Sequence, residues 1–546
     1  MRRAFSHIRL IFALIFLGAS LLSCGKEESQ DTHVYDQSVR HDIVNAWLSL
    51  DLSVVSSGTP TRSVSDQTSG GVNEEIDENV IKSIVVYLVP LEDGVEDWDE
   101  CIMTYIPRHL LTSGNPYNAT VRARLNVDMN VYVGANLSTT LAGKVHDDGT
   151  EAFYQSSAES YPDLIKEFAS AEDGVAMFCT KPYQLKFEDE NISPSKPAKV
   201  NGDDPVELVR MIAKVHMLFQ CYDDHDGYVR ITEPGSLTPA DYGAFGWSKL
   251  EDISYIVNTV NRTTKIYQPA YGGYADYTDM NHSMAKLLDK DIEWEYVTNA
   301  KDEFISFAKD WYDDQWKSWA AKPEKFVQNK APFGTGTDGS YVKGLYCLEN
   351  TTDDSALTYM TDDEKKSVPF MVATHVVVKA RFVPRMINKV VAGKLETIDY
   401  GQDGYETAFS SLTEVTGLDE NGSEKTYPVG TFFTRDMQEF YDYAGMMKMI
   451  ELQTIPGLSR KNFAAYPAGF GFYHSYIHGG TDSATGKVTF NGEDSGVFRN
   501  HYHILNCQLM KVPATPGSFN QLMMVNSKVV DWNPKGEMDL VVKPNV

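Results

Sequence analysis

The chain is 546 residues long, 42% of them hydrophobic and 12% aromatic. That apolar content is enough for a large core and excludes wholesale disorder, and the length suggests two or three domains. Lys and Arg number 49 against 76 Asp and Glu, a formal net charge of −27, which repels phosphate backbones and argues against nucleic acid as a partner.

In chain order, the first element is a sorting label. Arg2, Arg3 and Arg9 precede an uncharged apolar run over residues 10–22. The run is too short to span a bilayer comfortably, so residues 1–23 read as a signal peptide. Leu21-Leu22-Ser23-Cys24 has the form of a bacterial lipobox, with Cys24 as the lipidation site; the alternative is an ordinary signal with a chance Cys. Several acyl chains on Cys24 anchor a protein firmly to the outer membrane, where one chain would be marginal. Removing residues 1–23 removes three Arg and no acid, so the net charge becomes −27 − 3 = −30. Five further Cys remain (101, 179, 221, 347 and 507), too few and too scattered for a disulfide framework. One pairing is open to them, and the sequence does not choose it.

Residues 24–41 are polar and read as a lipidated tether. Strict alternation then begins. Leu48, Leu50, Leu52 and Val54 share one face, with Ser49, Asp51 and Ser53 on the other, which is the pattern of a half-buried strand within residues 43–57. Residues 58–73 are rich in Ser and Gly, read as an exposed loop, and contain Arg62 followed by Ser63. Strands are expected at 80–88, 119–127, 130–137 and 206–221, and a short helix at 162–171. Composition shifts near residues 223–227, which places the domain boundary there, between 42–225 and 226–546. Beyond it, strands are expected at 253–260, 341–348, 374–383, 468–477, 500–511, 523–530 and 537–542, and helices at 302–319 and 434–450. Many short strands separated by turn residues indicate a mainly β protein built from sandwiches.

Catalytic signatures fail on context. Residues 334–339 spell GxGxxG but lack the preceding strand and following helix of a dinucleotide site. Residues 480–487 lack the spacing and the Ser/Thr of a phosphate loop and read as a hairpin turn. Asp224, Asp226, Gly227 and Glu233 match part of a calcium loop, but Tyr222 stands where the first carboxylate belongs, so a solvated turn is the simpler reading. His501 and His503 share a strand face without a third ligand, and His474 and His478 lie in an extended stretch. No metal, cofactor or enzymatic activity is expected.

A trypsin-like cut after Arg62 would free the first strand and leave an apolar groove with unpaired edges, and an unpaired edge accepts a strand. Met538, Leu540 and Val542 alternate in the last stretch and offer such a strand. From period and spacing alone, an ordinary loop residue is the favoured reading of Arg62.

The chain resembles a fimbrillin of the FimA/Mfa type, the type V pilins of Bacteroides-like bacteria, with a length nearest the Mfa-type major subunits. The resemblance rests on the lipobox, on Cys24-Gly25-Lys26-Glu27-Glu28 as a surface-export signal, and on the strand–loop–Arg62 arrangement. It rests also on VELVRMIAKV (206–215), GLYCLENT (344–351), THVVVKARFVP (374–384), RNHYHILNCQL (499–509) and VVDW (529–532). It implies two transthyretin-like β-sandwich domains in tandem, lipidation at Cys24, cleavage between Arg62 and Ser63 by an Arg-specific protease, and loss of residues 43–57. It implies assembly with other copies and accessory fimbrial subunits by strand exchange through residues 537–546, for adhesion to host or bacterial surfaces and biofilm formation. Arg40 offers a second cleavable site that would free the lipid but leave the strand in place. The alternatives are a glycan-binding surface lipoprotein that keeps its first strand, and a tip or anchor subunit that does not polymerise.

Overall fold

The structure is a computed structural model that describes residues 43–54, 78, 80–111, 116–221, 224–225, 228–231, 245–267, 304–305, 321, 326–328, 344–351, 374–401, 403–477, 480–481, 488–489, 496–497, 499–500, 502–509, 512–515 and 524–530. The fold is mainly β, with a few short helices.

The alternating run forms β1 (Ile43–Leu50) and β2 (Leu52–Val54), interrupted at Asp51. Further along come β3 (Ser83–Glu92), β4 (Tyr117–Arg124), β5 (Asp128–Ala135), β6 (Phe153–Gln155), β7 (Met177–Cys179), β8 (Ala198–Lys199) and β9 (Val206–Arg210). β1 lies between β8 and β4 in a three-stranded sheet, and β2 opens an eight-stranded sheet in the order β2-β9-β7-β5-β3. The side chains of both sheets enter one continuous apolar core.

The expected single strand over 206–221 is broken. Met211 separates β9 from β10 (Ile212–Cys221), and the two belong to different sheets. β10 pairs parallel with β15 (Tyr502–Gln508) and antiparallel with β12 (Leu345–Leu348). β15 in turn pairs antiparallel with β16 (Met524–Val530). Pairing therefore changes over at Met211, earlier in the chain than the shift in composition at 223–227. The intervening strands include β11 (Thr263–Lys265), β13 (His375–Pro384) and β14 (Phe470–Tyr476). β13 and β14 pair from His375↔Tyr476 to Arg381↔Phe470. The stretch between them carries a small core of its own, made by Tyr427, Phe433, Tyr441, Met446, Leu458 and Phe463.

Close backbone approach explains one motif residue. A Cβ on Gly344, just before β12, would lie 2.8 Å from the Val215 carbonyl oxygen of β10, so only glycine lets the two strands meet.

The helices depart from expectation at several places, among them an unexpected helix at Tyr405–Ser411. A helix at Thr139–Asp148 was not signalled by the alternation; the Ser138 Oγ accepts the Leu141 N–H at its start, and Gly149 closes it at φ 63°. The helix expected over 434–450 begins only at Tyr443, since Phe432–Thr434 and Phe440–Tyr441 are strands. The expected helix at 162–171 is Tyr161–Lys166. The one expected over 302–319 lies largely outside the described residues, and Phe304–Ile305 within it is a strand pair.

Leu50 is fully buried, whereas Asn45 on the same strand is exposed. Leu50→Ala is expected to lower stability by about 2–5 kcal/mol, and Asn45→Ala by less than about 0.5 kcal/mol, as read from denaturant unfolding of the uncut chain.

Candidate functional site

The segment 43–54 has neighbours on both sides. β1 pairs antiparallel with β4 along its whole length, from Ile43↔Arg124 to Leu50↔Tyr117. On the other flank it pairs parallel with β8 through Leu48↔Ala198 and Ser49↔Lys199. β2 then pairs parallel with β9 through Val206↔Leu52 and Leu208↔Val54. The partner changes at Asp51, whose carbonyl accepts the Val206 N–H at 2.7 Å. The turn joining β8 to β9 takes left-handed backbone at Asn201 and Gly202 (φ 61° and 65°), which keeps both strands in one wall beside the segment.

Ala46, Leu48, Leu50 and Leu52 have no exposed surface, and Val54 has 8%. Beside them on the flanking strands and the turn after β8 lie Ala119, Val121, Ala123, Val200, Val206 and Leu208, all buried. Ser49 and Ser53 are also buried, at 8% and 9%, and Asp51 between them is half-buried, so the face read as solvated is largely covered at this end of the segment. Asp189–Ile192, a single turn of 3-10 helix, lies against β1. Burying the three leucines contributes on the order of 5–9 kcal/mol, an amount comparable with the whole stability of a typical domain. A chain without residues 43–54 therefore exposes an apolar groove, with the unpaired edge of β4 on one side and those of β8 and β9 on the other.

The far end of the 55–77 stretch is held differently. Glu78 is 5% exposed, and its Oε1 accepts from Lys214 Nζ on β10 at 2.8 Å. The Tyr346 hydroxyl on β12 donates to the same oxygen. Burial first, and the Glu78 charge second, push the Tyr346 phenol well above its ordinary value, so it stays a donor. Lys214 also lies 5.1 Å from the centre of the Tyr502 ring. A cut within 55–77 thus frees the chain on one side and leaves it pinned at Glu78 on the other.

The same region joins the strands before Met211 to those after it. Arg210 donates through its backbone N–H to Asn500 Oδ1 at 3.3 Å. Tyr161 donates to the Tyr346 carbonyl at 2.6 Å. β6 pairs antiparallel with β11. Arg499 Nε donates to Glu349 Oε2 at 3.1 Å, with both residues essentially unexposed. Burial raises the Glu349 carboxyl above its ordinary value, and the Arg499 guanidinium opposes that shift. The GLYCLENT and RNHYHILNCQL stretches thus meet through Glu349 and Arg499.

The remaining candidates divide as follows. Leu48, Leu50, Leu52 and Val54 lie together in the core. Cys24, Arg62, Ser63, Met538, Leu540 and Val542 lie outside the described residues, as do Asp226, Gly227, Glu233, His478, His501 and residues 334–339. Asp224 sits in a short pairing with residues 228–229. His474 and His503 are buried on β14 and β15. The strand pairs Gly480↔Thr489 and Thr481↔Val488 flank the stretch read as a hairpin turn. Among the described residues no cluster of metal-ligating side chains occurs. Cys101, Cys179 and Cys347 are free and buried, and burial pushes the Cys101 and Cys179 thiols up to about 12. Sequence reasoning missed the Glu78–Lys214–Tyr346 cluster. Its signal was the pair of cations, Arg210 and Lys214, inside the otherwise apolar run 208–215.

No protein family and no curated protein matches the chain. Solved structures similar to it include a candidate cell adhesion protein of Parabacteroides distasonis ATCC 8503, at 11% identity and TM-score 0.42, covering 90% of this chain and 100% of that one. They also include a fimbrilin (FimA) of Porphyromonas gingivalis W83, at 11% identity and TM-score 0.39, covering 89% and 97%. A third is the tip fimbrial protein Mfa3 of Porphyromonas gingivalis with C-terminal truncation, at 9% identity and TM-score 0.31, covering 90% and 100%. These neighbours are fimbrial and cell-adhesion proteins, the kind that the sequence motifs resemble. Likenesses this loose carry no functional argument, which rests on the chain's own first strand.

Lys214→Met alone leaves the Glu78 carboxylate buried without its ammonium and is expected to cost about 3 kcal/mol of stability. Pairing it with Glu78→Gln is expected to restore most of that, as measured in a double-mutant cycle by denaturant unfolding.

Proposed function

We propose that the chain is a structural subunit of a cell-surface fimbria, two β-sandwich domains in tandem, acting in adhesion and biofilm formation. It is exported as a lipoprotein held at the outer membrane through Cys24. An Arg-specific protease cuts between Arg62 and Ser63, and residues 43–57 leave. The groove then takes the strand of another copy, for which residues 537–546, with Met538, Leu540 and Val542 on one face, are the donor. Accessory fimbrial subunits join by the same chemistry.

One observation carries this reading. β1 is paired on both flanks, and Ala46, Leu48, Leu50 and Leu52 are buried in the core, yet the segment 43–54 joins the following chain through the stretch that contains Arg62.

Cutting after Arg62 removes residues 24–62, with three basic and six acidic residues, so the processed charge is −30 + 3 = −27. Such subunits repel one another, and salt screens that repulsion beyond about 10 Å at 0.1 M. Treating Cys24→Ala protein with a trypsin-like protease in concentrated solution is expected to give a new N-terminus at Ser63. Ladders of multimers on gels are expected to lengthen as salt is added. Cleavage elsewhere, or a Ser63 terminus with no multimers at any concentration, would falsify the proposal.

A further inference from the structure

The stretch between β13 and β14 opens with a hairpin whose outer strand has a neighbour on one side only among the described residues. Met386–Val391 pairs antiparallel with Lys394–Asp399, from Met386↔Asp399 to Val391↔Lys394. Their sheet continues from Met386–Val391 through Phe440–Tyr441 and Phe432–Thr434 to Ala464–Tyr466, so Lys394–Asp399 is its edge. Ala392 and Gly393 turn the chain with φ 49° and 82°, the two left-handed residues of a two-residue hairpin loop.

One hydrogen bond fixes the backbone direction along this edge. The Tyr400 N–H donates to the Arg385 carbonyl at 3.0 Å. Bonding direction alternates along an antiparallel strand, so Lys394, Glu396 and Ile398 bond toward the inner strand as Tyr400 does. Leu395 and Thr397 therefore turn their N–H and C=O groups outward. Lys394, Glu396 and Thr397 are exposed, and Leu395 is half-buried. Val390, which pairs with Leu395, keeps 39% of its surface, so an apolar strip runs to the edge on that face. Lys389 lies opposite Glu396 in the hairpin but turns to the Ser411 carbonyl at 2.7 Å and to Asp442 at 3.7 Å. The hairpin thus does not answer the Glu396 charge itself.

We propose that this edge pairs with the same edge of a second copy, antiparallel about a twofold axis at Leu395. An unpaired edge accepts a strand, and a twofold contact needs a surface that complements itself. About Leu395 the sequence does so. Lys394 falls opposite the second copy's Glu396, Glu396 falls opposite the second copy's Lys394, and Gly393 meets Thr397. Leu395 meets its own image beside the two Val390 side chains, and its outward backbone groups bond across the axis as the alternation requires. Opposite charges facing across strands attract and like charges repel. The other twofold registers within the strand offer no such match. Centring on Glu396 sets that carboxylate against itself, centring on Thr397 sets Leu395 against Asp399, and centring on Ile398 sets Glu396 against Tyr400. Charged residues on an edge blunt indiscriminate pairing; here they leave one register open. The contact covers only residues 393–397 of each copy, so between free subunits it is weak. Resting on the fimbrial reading, the same contact recurs from subunit to subunit along neighbouring fibres and gains by avidity, which joins fibre to fibre.

The test uses uncut Cys24→Ala protein, so its outcome is independent of any cut at Arg62. Sedimentation equilibrium at about 0.15 M salt, where repulsion between the acidic bodies is screened beyond about 8 Å, is expected to show monomers in equilibrium with dimers. Lys394→Glu alone and Glu396→Lys alone each set like charges together twice, and each is expected to weaken the dimer about tenfold or more. Mixing the two variants is expected to restore a heterodimer, and combining both substitutions in one chain to restore the homodimer. Amide exchange is expected to slow on dimerisation at Leu395 and Thr397, and to stay unchanged at Lys394 and Glu396. The variants must unfold with the parent, as substitutions at exposed positions do. A parent that stays monomeric at every attainable concentration overturns the proposal. So does a dimer that neither single reversal weakens, or one that neither the mixture nor the combined reversal restores.

Discussion

The burial of the leucine face of residues 43–54, with β1 between two strands and β2 beside β9, is the constraint on which the rest depends. β1 belongs to the three-stranded sheet and β2 to the eight-stranded one, so the segment passes from one to the other at Asp51, as the chain does again between β4 and β5 and between β8 and β9. Three leucines without exposed surface knit the two together. Removing the segment does not trim an edge; it opens the interior and unpairs β4, β8 and β9 together. An apolar vacancy of that depth is too costly to persist in water, so the fold either loses cohesion or accepts another strand of the same pattern.

A second constraint is the buried polar seam around Met211. Glu78, Lys214 and Tyr346 tie the start of the first sheets to β10 and β12. Arg499 and Glu349, with Arg210 and Asn500, add charged and amide contacts in the same region. Charges this deep are costly to desolvate and tolerate few alternative geometries, which is why they hold the strands before and after Met211 in one arrangement. The seam also marks where the processed chain would stay attached, because Glu78 follows directly on the stretch containing Arg62.

How much of this was legible varied with the physical signal. Period-2 alternation shows itself without context, so β1, β2 and most later strands were readable along with their buried faces. Ser49 and Ser53 misled, since a hydroxyl on the outer face looks solvated until another segment covers it. The break at Met211 was invisible because apolar residues continue through it, and only the change of pairing partner reveals two strands. The helix at Thr139–Asp148 had its cap residues in plain view, Ser138 before and Gly149 after, but its short apolar face, Leu141, Ala142 and Val145, gave a weak period.

By itself the sequence determined that this is an acidic, strand-rich chain with an uncharged apolar run at residues 10–22, a strand of alternating leucines and an arginine in the stretch after it. Those properties are local, set by residue type and spacing. Only the tertiary structure decided that β1 is central in its sheet rather than peripheral, that Lys214 answers Glu78, and that the chain changes sheets at Met211. Each of these depends on which strands lie side by side, and pairing between residues far apart in the chain has no signature in the local pattern of either partner.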